Sequence, residues 1–549
     1  MKRWNVLNKI ESKNLKLTEE KLLSVLLENR GLKTKLQKEK FLSPKLSDVT
    51  IESVKIDKSQ LKKAIERIKK AVSDKEQVII FGDYDVDGIC GTAILWETLN
   101  EFGVNVLPYI PSRYEEGYGL SIKGIDNLLT KNPKVGLIVT VDNGIVASKA
   151  VEYANKKGID VIITDHHVPS KTLPKAFAIV HSTLICGTAV AYLLSKELKN
   201  KKQDNHLELV VLATIADLVP LTNENRVLVY FGLMALRKTK RIGLLSLFKS
   251  AAIEKETIDV YEIGHIIAPR LNAMGRLESA MDSLRLLCTR DKQRADILSK
   301  SLSDTNLSRQ QFTSEALLDA KDKAKKKLMN KLLFIADSQY KEGVIGLVAG
   351  RLVEEFYLPS IVISKGKIYS KASVRSVKGF NIIEFLRQAS DLLVDVGGHP
   401  MAAGFTVETK KLEELEKKLY KLAAKLINKG HLERVLNIDL EISSDFINLK
   451  TYDLIQKLKP FGMANPEPTF LTKNLIVESL KVIGKDGKHL KLNLKSKDLN
   501  FWIEAIAFGM GELNSLEIGD EIDAVYTIDL NEWNGNKRLQ LKVKDIKKN

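Results

Sequence analysis

The sequence predicts two α/β domains joined by a helical linker around a cleft, with a small β-barrel at the C-terminal end. Between about residues 50 and 200, apolar strand candidates alternate with amphipathic helices, a pattern typical of a parallel sheet covered by helices. A mostly helical stretch follows over 205–330, and the alternation resumes over 332–427. From residue 435 onward short alternating strands dominate, which favours a Greek-key barrel of the OB type, although other β-barrels fit too.

The length and charge of the chain limit the possible number of domains and the kind of binding partner. The 549 residues exceed what a single core accommodates, so about three or four domains are expected. Lys and Arg number 86 against 69 Asp and Glu, and the net charge of +17 favours a polyanionic partner such as nucleic acid. A lysine-rich proteome would produce the same surplus, so charge alone leaves both explanations open.

Hydropathy indicates the compartment of the protein, and the number and spacing of its cysteines indicate which ligands a metal site could use. No stretch is long and apolar enough to span a bilayer, and the N-terminus lacks the apolar core of a signal peptide. We therefore expect a cytoplasmic protein without membrane association. Cys90, Cys186 and Cys288 are odd in number and far apart, which supports neither a disulfide framework nor a cysteine zinc site. Any metal is expected to be held by oxygen and imidazole ligands.

Changes of pattern along the chain predict five segments. Residues 1–45 contain 12 Lys and Arg against 5 acids, with leucines at helical spacing, and the charged run 321–331 predicts a helix end. Asn534-Gly535 predicts a β-hairpin within the barrel. The predicted segments are a basic helical arm (1–45), a catalytic α/β domain (46–204), the helical remainder of the core with the linker (205–330), a second α/β domain (331–430) and a nucleic-acid-binding OB barrel (431–549).

The first α/β domain is expected to contain four buried strands, and ligands bind at the carboxyl ends of such strands. Polar residues follow each of these strands in the sequence. In the linker, a separate polar stretch, 268–276, is expected to interrupt the helical pattern. The predicted strands are Val78–Phe81, Val104–Tyr109, Leu137–Val141 and Val161–Thr164.

An acidic turn follows the first of these strands, and the rest of the domain is organised around it. Asp83, Asp85 and Asp87 alternate within five residues, and carboxylates packed so closely repel one another unless a cation neutralises them. Gly82 and Gly88 would let the backbone bend around an ion. A solvated acidic loop that caps the following helix is the alternative, and this stretch alone does not decide between them.

Further metal-ligand types follow the other apolar runs. Asp142 lies in V-T-V-D-N-G, His166 and His167 in T-D-H-H, and Asp217 in T-I-A-D-L-V-P-L. Each could singly be a turn or capping residue, but their joint placement at the ends of apolar runs makes coincidence improbable. Carboxylates with one or two imidazoles suit Mn²⁺ or Mg²⁺ better than a structural zinc. Two such cations about 3.5 to 4 Å apart form the clamp used for phosphoryl transfer to water.

These motifs together closely resemble the DHH phosphoesterase superfamily and, within it, the RecJ exonuclease family. The segments D-Y-D-V-D-G, V-D-N-G, T-D-H-H and A-D-L-V-P-L are similar to its four successive motifs, in order. A-P-R-L-N-A-M-G-R-L and G-G-H-P-M-A-A-G-F (397–405) are similar to its linker motif and to its DHH-associated domain motif. The resemblance covers residue 45 to the C-terminus, and by it the chain is expected to lack the extra C-terminal domain of longer relatives.

The resemblance and the ligand chemistry together assign roles around two divalent cations, Mn²⁺ or Mg²⁺. Asp142 is expected to bridge them, and Asp83 to be an auxiliary ligand. Asp165 is expected to orient a histidine, which leaves His167 to stabilise charge on the phosphate or to protonate the leaving oxygen. The expected metal residues are Asp83, Asp85, Asp87, Asp142, His166 and Asp217, and the catalytic pair is His167 and Asp165.

A second set of residues is expected to bind the nucleic acid. Arg113 follows a strand end of the first domain, and the linker arginines could hold phosphates in the cleft. The resemblance implies that the segment of Ser373 and Arg375 forms a 5′-phosphate pocket, and the glycines around His399 would begin a helix whose amides face phosphate. Phe501 or Trp533 of the barrel would stack on bases. The full set is Arg113, Arg270, Asn272, Arg276, Ser373, Arg375, Gly398 and His399.

The function expected from the resemblance is a 5′ to 3′ exonuclease for single-stranded DNA in repair and recombination. The expected partners are single-stranded DNA, a helicase and a single-strand-binding protein, and the chain is expected to act as a monomer. Two alternatives remain: a phosphodiesterase for short oligoribonucleotides or cyclic dinucleotides, and a catalytically silent DNA-binding scaffold. The barrel and the basic arm argue against the first, and the intact acids and histidines argue against the second.

Overall fold

The structure is a computed structural model that describes residues 2–8, 17–113, 115–199, 205–496, 502–511, 516–533 and 536–549; residues 533 and 536 are described by their backbone only. The chain forms two compact units. The terminal unit comprises residues 1–49, 218–230 and 434–549, and the central unit comprises residues 50–217 and 231–433.

The described chain contains 17 strands in three sheets. In chain order they are β1 (Arg3–Asn8), β2 (Gln77–Phe81), β3 (Asn105–Tyr109), β4 (Val135–Val141), β5 (Asp160–Asp165), β6 (Ala178–His181), β7 (Leu333–Asp337), β8 (Ser360–Ser364), β9 (Tyr369–Arg375), β10 (Leu393–His399), β11 (Ala402–Glu408), β12 (Val435–Glu441), β13 (Phe470–Ile483), β14 (His489–Lys495), β15 (Trp502–Ala507), β16 (Glu521–Trp533) and β17 (Asn536–Lys548).

Eighteen α-helices accompany these sheets in the described chain, and none of them is both long and apolar enough to cross a membrane. They are α1 (Glu19–Asn29), α2 (Lys35–Leu42), α3 (Lys58–Ser73), α4 (Val86–Glu101), α5 (Ile122–Lys131), α6 (Ser148–Lys156), α7 (Gly187–Leu198), α8 (Leu207–Ala216), α9 (Asn223–Arg237), α10 (Ile242–Ser250), α11 (Val260–Glu262), α12 (Ala268–Leu277), α13 (Met281–Cys288), α14 (Lys292–Lys325), α15 (Glu342–Phe356), α16 (Ile382–Arg387), α17 (Leu412–Leu426) and α18 (Leu449–Gln456).

The first sheet of the central unit is parallel throughout, in the order β3-β2-β4-β5-β6. All four predicted strands are confirmed, as β2 to β5, because strands buried on both faces are nearly continuous apolar runs. Ile79, Ile138 and Val161 belong to one buried core with residues of α5 and α6. The chain leaves β2 for β3 on one side and returns to β4 on the other. The topological switch point, where ligands bind in such sheets, therefore lies where β2 and β4 end.

The linker is helical as predicted, but the stretch 268–276 is not an interruption. It forms α12, which follows directly on a π-helical turn at Ile263–Ile267. Pro269 lies in the first turn of α12, where the missing backbone N–H would have no partner within the helix. The prediction of an interruption was therefore wrong, because polar residues and a proline also fit a helix start.

The second sheet of the central unit has the order β10-β11-β9-β8-β7, with β7 and β8 parallel and the other pairs antiparallel. The helix start predicted around His399 is wrong, since residues 393–408 form the β10–β11 hairpin, in which Gly398 pairs with Ala403. Gly398 has φ 138°, and a Cβ there would lie 2.5 Å from the Ala402 carbonyl oxygen. Its glycines thus permit a tight hairpin rather than a helix.

The terminal unit contains the predicted OB-type barrel. Strands β13, β14, β15, β17 and β16 pair in that order, and pairing of β13 with β16 closes the barrel, while β12 and β1 extend it. The predicted hairpin turn Asn534-Gly535 lies outside the described residues, but its flanking strands β16 and β17 pair antiparallel up to Trp533 and Asn536. The short helix expected near residues 448–458 is α18.

The segment predicted as a basic arm is helical in α1 and α2, but it does not form a separate part of the chain. Leu22, Leu26 and Phe41 are buried in the same core as Phe470 and Tyr526 of the barrel. The leucines that predicted a helix are therefore its packing face, and the basic residues cover the outside. Strand β1 likewise pairs with β12 in parallel.

Candidate active site

The turn after β4 is built on an unusual backbone. Asp142 has φ 61°, a left-handed conformation that a non-glycine residue adopts at a cost and that is often found at functional sites. Its neighbour Asn143 is buried and donates to the carbonyls of Phe81 at 3.1 Å and Val141 at 2.8 Å. The Asn143 side-chain oxygen accepts from the Leu120 amide at 3.1 Å. Asn143 therefore ties the ends of two strands and a loop together beneath Asp142.

The acidic turn after β2 is fixed by its own carboxylates. Asp85 is the N-cap of α4 and accepts from the amides of Asp87 at 2.9 Å and Gly88 at 3.1 Å. The Asp87 carboxylate accepts from two amides at the start of α7, those of Gly187 and Thr188, each at 2.7 Å. A Cβ on Gly187 would lie 2.8 Å from the Cβ of Asp142, so glycine is required at this close approach. These contacts bring the carboxylates of the turn after β2 close to Asp142 in the turn after β4.

All six predicted metal residues meet at the switch point of the sheet. His166 Nε2 lies 3.1 Å from an Asp142 oxygen, 3.6 Å from an Asp87 oxygen and 3.7 Å from an Asp217 oxygen. Within each of three groups of residues, one possible ligand atom per residue lies within 4.8 Å of the others. The groups are Asp83, Asp85 and Asp142; Asp87, His166 and Asp217; and Asp142, His166 and His167.

The electrostatics of this cluster suit a cation. Burial, followed by repulsion from the neighbouring aspartates, raises the pKa of Asp83, Asp85 and Asp142 above the usual range, and raises the pKa of Asp217 to about 9. Both oxygens of Asp83 and Oδ1 of Asp142 are buried without a hydrogen-bond partner among the described residues. Buried oxygens of this kind lack compensation inside the protein, and a bound divalent cation would supply it.

His167 is held between two hydrogen-bond partners. Its Nδ1 lies 2.8 Å from Asp165 Oδ1, and its Nε2 lies 3.0 Å from the Tyr118 hydroxyl. Burial by itself would lower the pKa of His167, but the bond to Asp165 and the charge of that carboxylate outweigh it and raise the pKa. For His166, burial lowers the pKa. Asp165 therefore holds the His167 ring in one orientation, and the pKa values of the two imidazoles are shifted in opposite directions.

Arginines line the cleft beside the cluster. Arg113 lies over the Tyr84 ring at 5.1 Å, and Arg276 donates to the Gly343 carbonyl of the second α/β domain at 3.1 Å. Burial and repulsion from neighbouring arginines lower the pKa of Arg276 to about 10. Burial, with repulsion from Arg113, also lowers the pKa of Arg375. Arginines this close together repel one another, and a bound anion would offset that repulsion.

The predicted binding residues of the second domain lie on two strands, β9 and β10, which both pair with β11. Arg375 donates to the Ser373 hydroxyl at 3.1 Å, and its strand pairs with β11, Arg375 opposite Ala402. Gly398 and His399 are exposed on the adjoining β10. On α15, a Cβ on Gly346 would lie 2.9 Å from the Ser373 hydroxyl, so this glycine keeps the surroundings of Ser373 open.

Two of the predicted binding residues in the linker, Asn272 and Arg270, also form hydrogen bonds within the protein. The Asn272 side-chain oxygen accepts from the Val86 amide at 3.0 Å, which fixes the start of α4. Arg270 donates to the Ile266 carbonyl at 2.8 Å, while its Nε has no partner among the described residues.

Sequence reasoning missed Tyr118, Asn143 and Arg309. Arg309, on the long helix α14, lies near enough to Arg276 to lower its pKa. No local signal marks a single arginine on a polar helix. Tyr118 could have been noticed, because it lies between two glycines, Gly117 and Gly119, and both have positive φ.

Comparisons with known proteins agree with this geometry. The chain matches the family model described as "DHH family, N-terminal domain" over residues 77–219, the "DHHA1 domain" over 326–425 and the "RecJ OB domain" over 438–545. It is 34% identical, over 99% of its length and 70% of the relative's, to a Bacillus subtilis protein named single-stranded-DNA-specific exonuclease RecJ. The chain belongs to the RecJ family.

Solved RecJ structures share the whole fold. The crystal structure of Thermus thermophilus RecJ with Mn²⁺ matches all of this chain and 80% of that one, with a TM-score of 0.85 and 28% identity. The structure of the same enzyme with Mg²⁺ matches with a TM-score of 0.78 and 26% identity, over 100% of this chain and 78% of that one. The resemblance stated from the motifs and the predicted fold class are therefore confirmed.

Proposed function

We propose that this protein is a metal-dependent exonuclease that hydrolyses the phosphodiester bonds of single-stranded DNA from the 5′ end, in DNA repair and recombination. The observation that carries the proposal is the convergence of five aspartates and His166 at the switch point of a parallel sheet, beside a cleft lined by arginines. A relative named as a single-stranded-DNA-specific exonuclease, 34% identical over 99% of the chain, supports the substrate.

Two divalent cations, Mn²⁺ or Mg²⁺, are the proposed cofactors. Asp83, Asp85 and Asp142 would hold one, and Asp87, His166 and Asp217 would hold the other. Asp142 would bridge them, since it belongs to the first group and lies 3.1 Å from His166 of the second. RecJ structures with Mn²⁺ and with Mg²⁺ support this choice of metal. When bound, such ions convert water to hydroxide and stabilise charge on the reacting phosphate.

His167 is proposed to hold a proton at Nε2 and deliver it to the leaving oxygen. Asp165 engages Nδ1 and raises the pKa of the ring, which favours the protonated form relative to a histidine without such a partner. The Tyr118 hydroxyl, 3.0 Å from Nε2, holds that nitrogen in place until a phosphate oxygen replaces it.

Arg113, Arg276, Ser373 and Arg375 are proposed to bind the 5′-terminal phosphate. A phosphate monoester carries more charge than an internal diester, and several guanidiniums with one hydroxyl match it. The mutual effects of Arg113, Arg276 and Arg375 on pKa support their closeness. Recognition of that group would make the enzyme start at the 5′ end.

The barrel is proposed to bind the single strand as well, by base stacking. Of the two aromatics predicted to stack on bases, Phe501 and the side chain of Trp533 lie outside the described residues. The described structure offers Trp502 and Phe508 instead, 51% and 55% exposed, one at the start and the other just after the end of β15. Both lie on the side of β15 that faces away from the barrel core, whose buried residues alternate with them. The face of OB strands two and three is where such barrels bind oligonucleotides.

Replacement of both Trp502 and Phe508 by alanine is expected to weaken binding of long single strands by about tenfold or more, because stacking contributes roughly 1 to 3 kcal/mol per base. Affinity is measured by fluorescence anisotropy with a labelled 40-nucleotide strand. Ile518→Ala, at a side chain 69% exposed in the same unit, is the matched control and should bind like the unchanged protein. Equal affinity of the double variant and the control would mean that bases stack elsewhere.

The substrate class is tested with end-labelled single strands, blunt duplexes and linear dinucleotides, each incubated with the protein and Mn²⁺. Rapid hydrolysis of the single strand, with the duplex and the dinucleotides degraded far more slowly, is the expected result. Preference for dinucleotides would favour the alternative phosphodiesterase, and no hydrolysis of any of them would favour the silent scaffold.

The protein partners and the compartment are also proposals, and they follow from a single-stranded DNA substrate. A helicase would produce such strands, a single-strand-binding protein would cover them, and the cytoplasm would contain them. A monomer is sufficient, because one chain supplies every residue of the metal cluster.

A further inference from the structure

A second cavity of about 630 Å³ lies in the central unit, at the end of α4 that is remote from the metal residues. The last turns of α4 contribute Trp96 and Glu97, the start of α8 contributes His206, and Arg241 precedes α10. None of these residues has a part in the hydrolysis described above. Its volume is in the range of cavities that bind small ligands.

The carboxylates of this cavity are paired with basic side chains. Arg241 binds both oxygens of Glu97, at 2.6 and 3.0 Å, and its Nε donates to Glu208 at 3.2 Å. Glu101 pairs with Lys199 at 2.5 Å. Three carboxylates thus share the charges of Arg241 and Lys199, so about one negative charge remains in the cavity.

Positive charge on the rim has no such compensation. Lys238, Lys240 and Arg290 line the cavity with exposed side chains, and none of them pairs with an acid within the described part of the chain. Helix α10 begins here at Ile242, and no side chain caps its first turn, so its free amides add partial positive charge. Three cations and an open helix start together favour an anionic ligand.

His206 provides a second and independent sign of a ligand. The residue is 7% exposed and has a left-handed backbone with φ 80°. Its Nδ1 lies 3.3 Å from both Glu97 and Arg241, but its Nε2 is buried without a partner among the described residues. A buried ring nitrogen without a partner is costly, and a polar ligand group would satisfy it. Trp96, half-buried on the wall, offers a flat surface for a planar ring.

We propose that this cavity is a second ligand site, which binds a nucleoside phosphate. The phosphate lies on Lys238, Lys240, Arg290 and the start of α10, and the base stacks on Trp96. His206 hydrogen-bonds to the sugar or the base. The cavity lies at the far ends of the two helices that reach the metal cluster: α4 begins at Asp85, and α8 ends at Asp217. Helices α4 and α8 thus extend from the cavity to the metal residues.

The site is tested with deoxyadenosine 5′-monophosphate as the probe, added to the full chain in Mg²⁺ buffer. Tryptophan fluorescence and calorimetry are recorded in parallel with deoxyadenosine and inorganic phosphate. We expect saturable binding of the nucleotide with a change in fluorescence that Trp96→Phe abolishes. Deoxyadenosine or phosphate alone should bind at least about tenfold more weakly, because each makes only part of the contacts.

The triple substitution Lys238→Gln, Lys240→Gln and Arg290→Gln is expected to weaken nucleotide binding by about tenfold or more without unfolding, because all three side chains are exposed. Lys69→Gln, at an exposed lysine of α3, is the matched control and should change nothing. Arg375→Ala separates this site from nucleotide bound in the DNA cleft, since the Trp96 signal should persist in it. Absence of saturable binding, equal affinity of the triple variant and the control, or loss of the signal in Arg375→Ala would overturn the proposal.

Discussion

Replacement of Asp142 is expected to abolish hydrolysis while single-strand binding is largely retained. Asp142 lies in a group with Asp83 and Asp85 and 3.1 Å from His166, so without its carboxylate the two proposed cations would not be held together. Loss of residues that merely orient metal ligands typically costs about 10- to 100-fold, and loss of a bridging ligand should cost more than about a hundredfold. The arginines of the cleft remain, which is why binding should survive.

The left-handed backbone at Asp142 decides which substitution is informative. Alanine at φ 61° is strained, whereas asparagine tolerates this conformation and keeps the shape of the side chain. Asp142→Asn should therefore fold like the unchanged protein, as thermal unfolding can verify, and still lose turnover with Mn²⁺. Asp142→Ala should lose turnover as well. Hydrolysis at the normal rate by the folded Asp142→Asn variant would refute the metal assignment.

Arg375→Ala is expected to reduce activity far more on a 5′-phosphorylated strand than on the same strand with a 5′-hydroxyl. Arg375 is held by the Ser373 hydroxyl and the Val374 carbonyl, which orients its guanidinium, and burial beside Arg113 leaves it in need of an anion. A charged hydrogen bond to a terminal phosphate contributes roughly 1.5 to 3 kcal/mol, which corresponds to about 10- to 150-fold. An ordinary surface ion pair would contribute under about 1 kcal/mol.

The comparison is made as kcat/KM on the two strands for each protein. Arg387→Ala, at an exposed arginine of the same domain, is the matched control and should lower neither value. If Arg375→Ala lowers kcat/KM equally on the two strands, the 5′-phosphate is bound elsewhere.

The parts of the fold that could be predicted are the buried strands, because burial on both faces requires nearly continuous apolar runs. The strands β2 to β5 are apolar runs, and parallel topology places their carboxyl ends at one edge, so the acids and histidines after them were expected together. Asp217 ends a helix rather than a strand, and only the packing of α8 beside α4 brings it to the cluster.

The parts that could not be predicted depend on long-range packing. The leucines of α1 indicated a helix, but nothing local shows that they bury against a barrel more than 400 residues later in the chain. The glycines around His399 fit a helix start and a hairpin equally well until β10 is known to pair with β11. Likewise, nothing local in the sequence indicates that the Asn272 side-chain oxygen accepts from the Val86 amide.

The direction of hydrolysis tests the central claim most directly. One single strand is labelled at its 5′ end in one sample and at its 3′ end in the other, both are 5′-phosphorylated, and the products with Mn²⁺ are followed in time. A 5′-specific exonuclease should release the 5′ label as mononucleotide from the first time points, while the 3′ label passes through a ladder of shortening strands. Release of the 3′ label first, or internal cleavage without mononucleotides, would contradict the proposed function.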